Sequence, residues 1–190
     1  METKETLFSA FIKQLADLQG KECWSFIGGP GTGSMLTLDF GEKMLRERPV
    51  RNPTLTTEQR NYIGEIRLFI QNAGWRIDDD SSVICSSTSS NDLDGSFGKG
   101  LRLILNQRVE RIVVSHPGLD LRIEFEGKMV LTVFCDQANS EDEACNYSVH
   151  LNKKTFAIEA YSKLTQLTKK VPRAFKLDTP TIAPEVPKKN

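Results

Sequence analysis

No apolar run in this chain approaches the roughly 20 residues that a helix needs to cross a bilayer. A helical membrane span is therefore not expected. Histidine is scarce, with only His116 and His150. The acidic groups thus lack the imidazole partners that a transition-metal centre usually brings. The four cysteines, Cys23, Cys85, Cys135 and Cys145, show no CxxC spacing and sit mostly in strand-like segments. They read as buried reduced thiols of a cytosolic protein, with a secreted disulfide scaffold as the lesser alternative. Net charge is also missing, since 25 basic residues face 25 acidic ones. From Lys163 onward seven Lys or Arg meet only Asp178 and Glu185, a net of +5, which leaves −5 on residues 1–162. A mildly acidic body argues against a broad nucleic-acid-binding face. With Glu2 and Glu5 near the start and no small-residue cleavage site, no signal peptide is expected either.

What is present centres on Leu119–Phe134, LDLRIEFEGKMVLTVF. Leu119, Leu121, Ile123 and Phe125 alternate with Asp120, Arg122, Glu124 and Glu126, the period-two mark of a half-buried strand. Glu126-Gly127-Lys128 supplies a turn in which glycine reaches positive φ cheaply, and MVLTVF returns as the second strand. A weaker copy lies upstream at Met35–Met44, where Leu36, Phe40, Lys43 and Met44 match Leu121, Phe125, Lys128 and Met129 at one constant offset. Each copy follows a strand-like segment, Glu22–Ile27 or Val109–Ser115, and before that an amphipathic stretch. Downstream, Glu65–Ile77 can be laid on Asn146–Ile158, placing Trp75 on Phe156. The pattern predicts two related halves in one domain, since a solenoid needs three or more repeats.

In chain order, Thr6 can cap a helix from Leu7 to about Leu18, with Phe8, Phe11, Ile12 and Leu15 on one face. The glycine-rich Gly28–Ser34 connects the first strand to the second. Leu45–Thr57 is polar, carries two prolines and no clean period, and is the longest expected loop of the body. Gly64–Ile70 and Trp75–Ile77 read as a second hairpin, and VICSS as a short strand. Ser86–Ser96 is a polar linker between the halves, and Phe97–Leu105 has helical spacing. Tyr161, Leu164 and Leu167 hint at another short helix. Residues 171–190, rich in Lys and Pro, read as a flexible tail.

Few motifs carry chemistry. GGPGTGS lacks the lysine and the following helix of a phosphate-binding loop, so a plain connector outweighs nucleotide binding. SNDLDG (Ser90–Gly95) places Asp92, Asp94 and Gly95 at calcium-loop positions, but Ser90 and Leu101 stand where carboxylates are needed. His116 and His150, set against Cys85, Cys135 or Asp120, fit no nucleophile–base signature. Charged loops remain. Arg46, Arg48 and Arg51 occupy the long loop, while Asp78, Asp79 and Asp80 and then Glu141, Asp142 and Glu143 offer the opposite sign. Such loops are solvated surface or the face shown to a charged partner. Because they follow equivalent hairpins, the loops after Met44 and after Cys135 are expected at related ends of the body.

The run LNQRVERIVV, PGLDLRIEF, a glycine turn, LTVFCD and Tyr147 resembles a diffuse group of small uncharacterised bacterial proteins with a repeated DL-x-I-x-F hairpin pattern. The resemblance spans roughly Trp75–Leu151, with Asn106-Gln107 in place of the usual Leu-Gly turn and Tyr147 in place of Trp. Some of that group look immunity- or defence-associated, which implies a cytoplasmic, non-enzymatic protein that binds another protein. The expected fold is α+β and mainly antiparallel β. Its two β-rich halves, about 6–85 and 97–168, are each led by a short helix within one domain over 1–170. No cofactor, metal or membrane partner is expected, and nucleic acid is disfavoured. Pairing of strand edges with a second copy stays open. The alternative is a small-molecule or nucleotide-binding domain using Gly28–Ser34.

Overall fold

The Thr6 hydroxyl accepts a 3.2 Å bond from the Ser9 N–H and starts α1, Leu7–Leu15. In the computed structural model, which describes residues 6–138, 144–151 and 154–167, α1 tightens into a 3-10 turn at Ala16–Leu18. That tightening swings Leu18 into the core, where it joins Phe11 and Leu15, and leaves Ile12 on the exposed side. The strands β1 (Glu22–Ile27), β2 (Leu36–Leu45), β3 (Tyr62–Ile70), β4 (Gly74–Asp78) and β5 (Val83–Ser86) follow, with α2 (Thr57–Asn61) between β2 and β3. After α3 (Ser96–Arg102) come β6 (Gln107–Ser115), β7 (Asp120–Phe125), β8 (Val130–Phe134), β9 (Cys145–Leu151), β10 (Lys154–Glu159) and β11 (Lys163–Leu167). The expected mainly antiparallel architecture is what forms. The tail at 171–190 lies outside the described residues.

All eleven strands join one sheet in the order β11-β10-β9-β3-β2-β1-β6-β7-β8-β4-β5. Outward from the short β1–β6 seam, each direction runs through three strands of one half and then strands of the other. The sequence therefore crosses over twice, between β3 and β4 and between β8 and β9. The helices follow the exchange. α1 contacts β9 and β11, with Phe11 packed on Phe156 at 5.4 Å between ring centroids, and α3 packs on β5.

The sheet folds over on itself, with its edge strands β11 and β5 not paired to each other among the described residues. The Tyr147 hydroxyl on β9 donates 2.9 Å to the Leu119 carbonyl just before β7, and the Trp75 indole on β4 donates 2.8 Å to the Ser34 carbonyl just before β2. In each case the strands are five places apart, which in a flat sheet would be about 24 Å. One continuous core results, holding Phe40 and Phe125, 0% and 1% exposed, together with Trp75, Tyr147 and Phe156. The upstream and downstream hairpin copies, β2 and β7, thus hold mirrored places in the strand order.

Several expectations change. β3 and β4 are not a hairpin, because β3 is paired on both edges by β2 and β9 while β4 pairs with β8 and β5. Gln71 and Asn72 donate to the Asn146 and Cys145 carbonyls, so the short connector is held on β9 and carries the chain across the core. In the strand order the place of β4, which carries Trp75, is mirrored by β9, which carries Tyr147, while Phe156 lies on β10. Tyr161–Leu167 makes no α-helix. A tight turn with positive φ at Tyr161 and Ser162 leads into β11, which pairs with β10 through Ile158↔Leu164. In the β7–β8 turn the left-handed residue is Lys128 (φ 66). Gly127 lies close to the amide end of Gln107, which would have to shift to admit a Cβ there, 2.7 Å from its Oε1.

Candidate functional site

The inner face of β2, β3 and β9 is apolar, so the alternate residues face outward, and at one level those residues are polar. Register places Ser25, Asp39, Arg67, His150 and Thr155 side by side across β1, β2, β3, β9 and β10. Asp39 is 1% exposed, and its carboxylate accepts 2.8 Å bonds from both Arg67 Nε and Arg67 Nη2. Its Oδ1 also accepts the Gly64 N–H at 3.0 Å. Two guanidinium bonds and a backbone amide are the compensation a buried carboxylate needs. Next in the row, His150 Nδ1 lies 2.8 Å from Thr155 Oγ1 and Nε2 lies 3.5 Å from Ser148 Oγ. Burial, and then the Arg67 charge, push the imidazole down to about 4, with Asp39 pulling weakly the other way. A ring that resists protonation is a poor general base, so the Ser148–His150 contact is not an activated nucleophile.

Over this row folds the connection between β2 and β3. A bulge at Gly41 (φ 73) turns the end of β2, and the chain then runs through Arg46–Thr56 into α2. The excursion is held in place by its own bonds. Thr56 and Gln59 form a capping box, Gln59 Nε2 donates 2.8 Å to the Phe26 carbonyl, and Lys43 pairs with Glu58. Asn52 Oδ1 accepts from the Thr54 amide and hydroxyl, and the Val50 N–H reaches the Arg60 carbonyl. Arg46 is partly buried, donating from Nε to the Tyr62 carbonyl at 2.9 Å. Burial and then the neighbouring Arg67 lower its pKa, opposed by Asp39. Arg48 and Arg51 are exposed, and so are Met44 (51%) and Leu45 (74%) at the end of β2.

The acidic residues are used differently. Asp78 pairs with Arg76 at 2.8 Å, and Asp80 pairs with Lys128 at 2.8 Å. Asp79 Oδ1 accepts the Ser81 and Ser82 amides, which lowers its pKa and closes the turn between β4 and β5. Glu141, Asp142 and Glu143 lie outside the described residues. The chain after Cys135 runs beside the Gln71 connector, with Gln137 Nε2 donating to the Asn72 carbonyl. That is the Leu36 end of β2, whereas the Arg46 loop leaves from the Leu45 end. The two loops therefore lie at opposite ends.

Gly28–Ser34 borders an open cavity of about 1090 Å³ lined by Ser34, Gln71, Asn72, Ser87, Thr88 and Asp136. No Lys or Arg is among its lining residues, and β2 follows the connector directly. In the Ser90–Gly95 linker, the Ser90 hydroxyl donates to Asp92 and the Gly95 N–H to the Asp92 carbonyl, an ordinary turn. Among the described residues no group of three His, Cys, Asp or Glu is placed to hold a metal. Burial pushes Cys85 and Cys145 up to about 11 and Cys135 to about 12, so these thiols stay protonated near neutrality. His116 packs its ring edge on Phe8 at 4.5 Å.

Sequence reading singled out Arg46, Arg48 and Arg51 but missed the row beneath them. The available signal was an acid inside LTLDF and a base inside EIRLFI, one of each sign in strands that turn out to be neighbours. No protein-family model, curated protein or solved structure matches the chain.

Proposed function

We propose that this is a non-catalytic binding protein that engages another protein through the Arg46–Asn61 excursion. One observation carries the reading. In the mirrored strand order, β2–β3 and β7–β8 occupy equivalent places. The second connection is made by Glu126–Met129 alone, while the first spends Arg46–Asn61 on the same task. A fold that closes with a tight turn on one side has no need of a long ordered loop on the other, and loops held by rigid sheets are where recognition resides. The excursion displays Arg48 and Arg51 as a basic rim and leaves from a strand end where Met44 and Leu45 are exposed, and apolar and Arg side chains are what protein interfaces use. An acidic partner follows from the sign of that rim. The mirrored order, with Trp75 and Tyr147 reaching equivalent carbonyls, supports descent of the two halves from one ancestral unit. The resemblance to small bacterial proteins extends the proposal to a cytoplasmic, defence-associated role.

The test is affinity capture from the source cell with wild type, the double variant Arg48→Glu/Arg51→Glu, and Asp79→Lys as a charge control. Loss of an acidic partner in the arginine variant alone, with an unchanged circular dichroism spectrum, is the expected result. Retention of every partner by the arginine variant would remove this surface from consideration.

A further inference from the structure

The face of β3, β9, β10 and β11 turned away from the core holds a groove of about 590 Å³. Register sets Phe69, Ser148, Ala157 and Thr165 side by side across the four strands. Phe69 walls the groove on the β3 side, and Tyr161 and Leu167, 64% and 43% exposed, rim it on the β11 side. Between them Ser148 and Ala157 are small and only 5% exposed, although they point outward, so the floor lies below its walls. A floor of small side chains beside a phenylalanine leaves room for one large apolar side chain, and unfilled space of that kind forfeits dispersion contacts. The volume falls within the roughly 300–1,000 Å³ of ligand pockets.

We infer that this groove is the seat of the chain's own segment Val171–Leu177, with the Phe175 ring laid on Ser148 and Ala157 against Phe69. The chain leaves β11 from the groove itself, since Leu167 both ends the strand and lines the cavity. From β11 to β3 is three strand spacings, about 14 Å, which an extended chain covers in four or five residues at about 3.3 Å each. Phe175 stands eight residues after Leu167, within reach of the whole floor, and is the one aromatic residue of 168–190. Pro172 holds Val171 extended and has no N–H to donate, which suits a segment lying across a sheet face better than one pairing with the β11 edge. Charge agrees as well. Residues 168–190 carry six Lys or Arg and two acidic residues, a net of +4, against −4 on residues 1–167. The Lys- and Pro-rich composition that predicts a flexible tail thus also contains an apolar anchor.

The test uses the full chain. In wild type, NMR should show a nuclear Overhauser contact between the Phe175 ring protons and the Ala157 methyl group. Phe175→Ala should displace the amide resonances of Ser148, Ala157 and Thr165 and leave those of Arg122 and Thr132, paired across β7 and β8, in place. It should also quicken tryptic cleavage after Arg173 and Lys176 by about ten-fold or more, because losing a buried ring raises the undocked population by at least that factor. Ile182→Ala, outside the docked segment, should change neither readout. A missing Overhauser contact, or equal cleavage rates in wild type and Phe175→Ala, would overturn the assignment. In a mixture of labelled and unlabelled protein, a contact found between chains would place the segment on a second copy and overturn it too. Arg48→Glu/Arg51→Glu should keep the Phe175 contact, so this inference and the partner-surface reading stand or fall separately.

Discussion

Acidification should destabilise this fold through His150 before the carboxylates respond. The ring sits between Thr155 and Ser148 on the covered face, beside Arg67, and burial together with that cation lowers its pKa from the ordinary 6.5 to about 4. In the unfolded chain it takes up a proton near its ordinary value, whereas the folded chain refuses one until far lower. The unfolded state then binds more protons through this window, so stability is full above about pH 6.5 and falls as pH drops toward about 4. The difference of about 2.5 pH units corresponds to about 3 kcal/mol. Carboxylates such as Glu65, held low first by its hydrogen bond from Lys21, give up stability only at lower pH. The interval from about pH 6.5 to about pH 4.5 therefore isolates the imidazole. Urea denaturation across that interval should move the midpoint down by about 1 M, for a slope near 2 kcal/mol per M. His150→Asn, whose side-chain amide can take over the bond to Thr155, should flatten the profile. An equally steep profile in His150→Asn, or a flat one in wild type, would refute the reasoning.

Other outcomes follow from the core and the charged row. Phe125→Ala should cost about 3–5 kcal/mol by calorimetric or denaturant unfolding, because the ring is 1% exposed and its walls belong to both halves. Asp39→Ala should cost about 3–5 kcal/mol, since it strands the Arg67 guanidinium and the Gly64 N–H; adding Arg67→Met should recover part of the loss. Gly100→Ala should cost about 1–3 kcal/mol, because its Cβ would sit 2.3 Å from Cys85 Sγ. Combining it with Cys85→Ala should return part of that loss, since the Cys85 Cβ would still lie 2.7 Å away, and a strictly additive double mutant would contradict the packing.

Local pattern determined much of this architecture. Period-two alternation placed β7, the turn after it placed β8, the strand-like Glu22–Ile27 placed β1, and the Thr6 cap set the start of α1, because those signals reside in neighbouring residues. The similar pattern of Met35–Met44 and Leu119–Met129 was legible for the same reason, and both stretches bury their phenylalanine. The prominence of Arg46, Arg48 and Arg51 was also legible, since a long polar loop is a property of composition. What the sequence could not decide was which strands would be neighbours. Gln71–Ala73 is as short as a hairpin loop, yet β9, more than seventy residues onward, takes the edge of β3 that β4 would have used. That choice depends on folding the sheet over, with Tyr147 and Trp75 each reaching across the core to a distant carbonyl. Leu164 and Leu167 carry a spacing equally suited to a helix, and the free edge of β10 made them a strand. The Asp39–Arg67–His150 row has the same origin. Each residue is merely the outward position of its own strand, and only the register of three strands from two halves of the chain brings them together as one covered polar row.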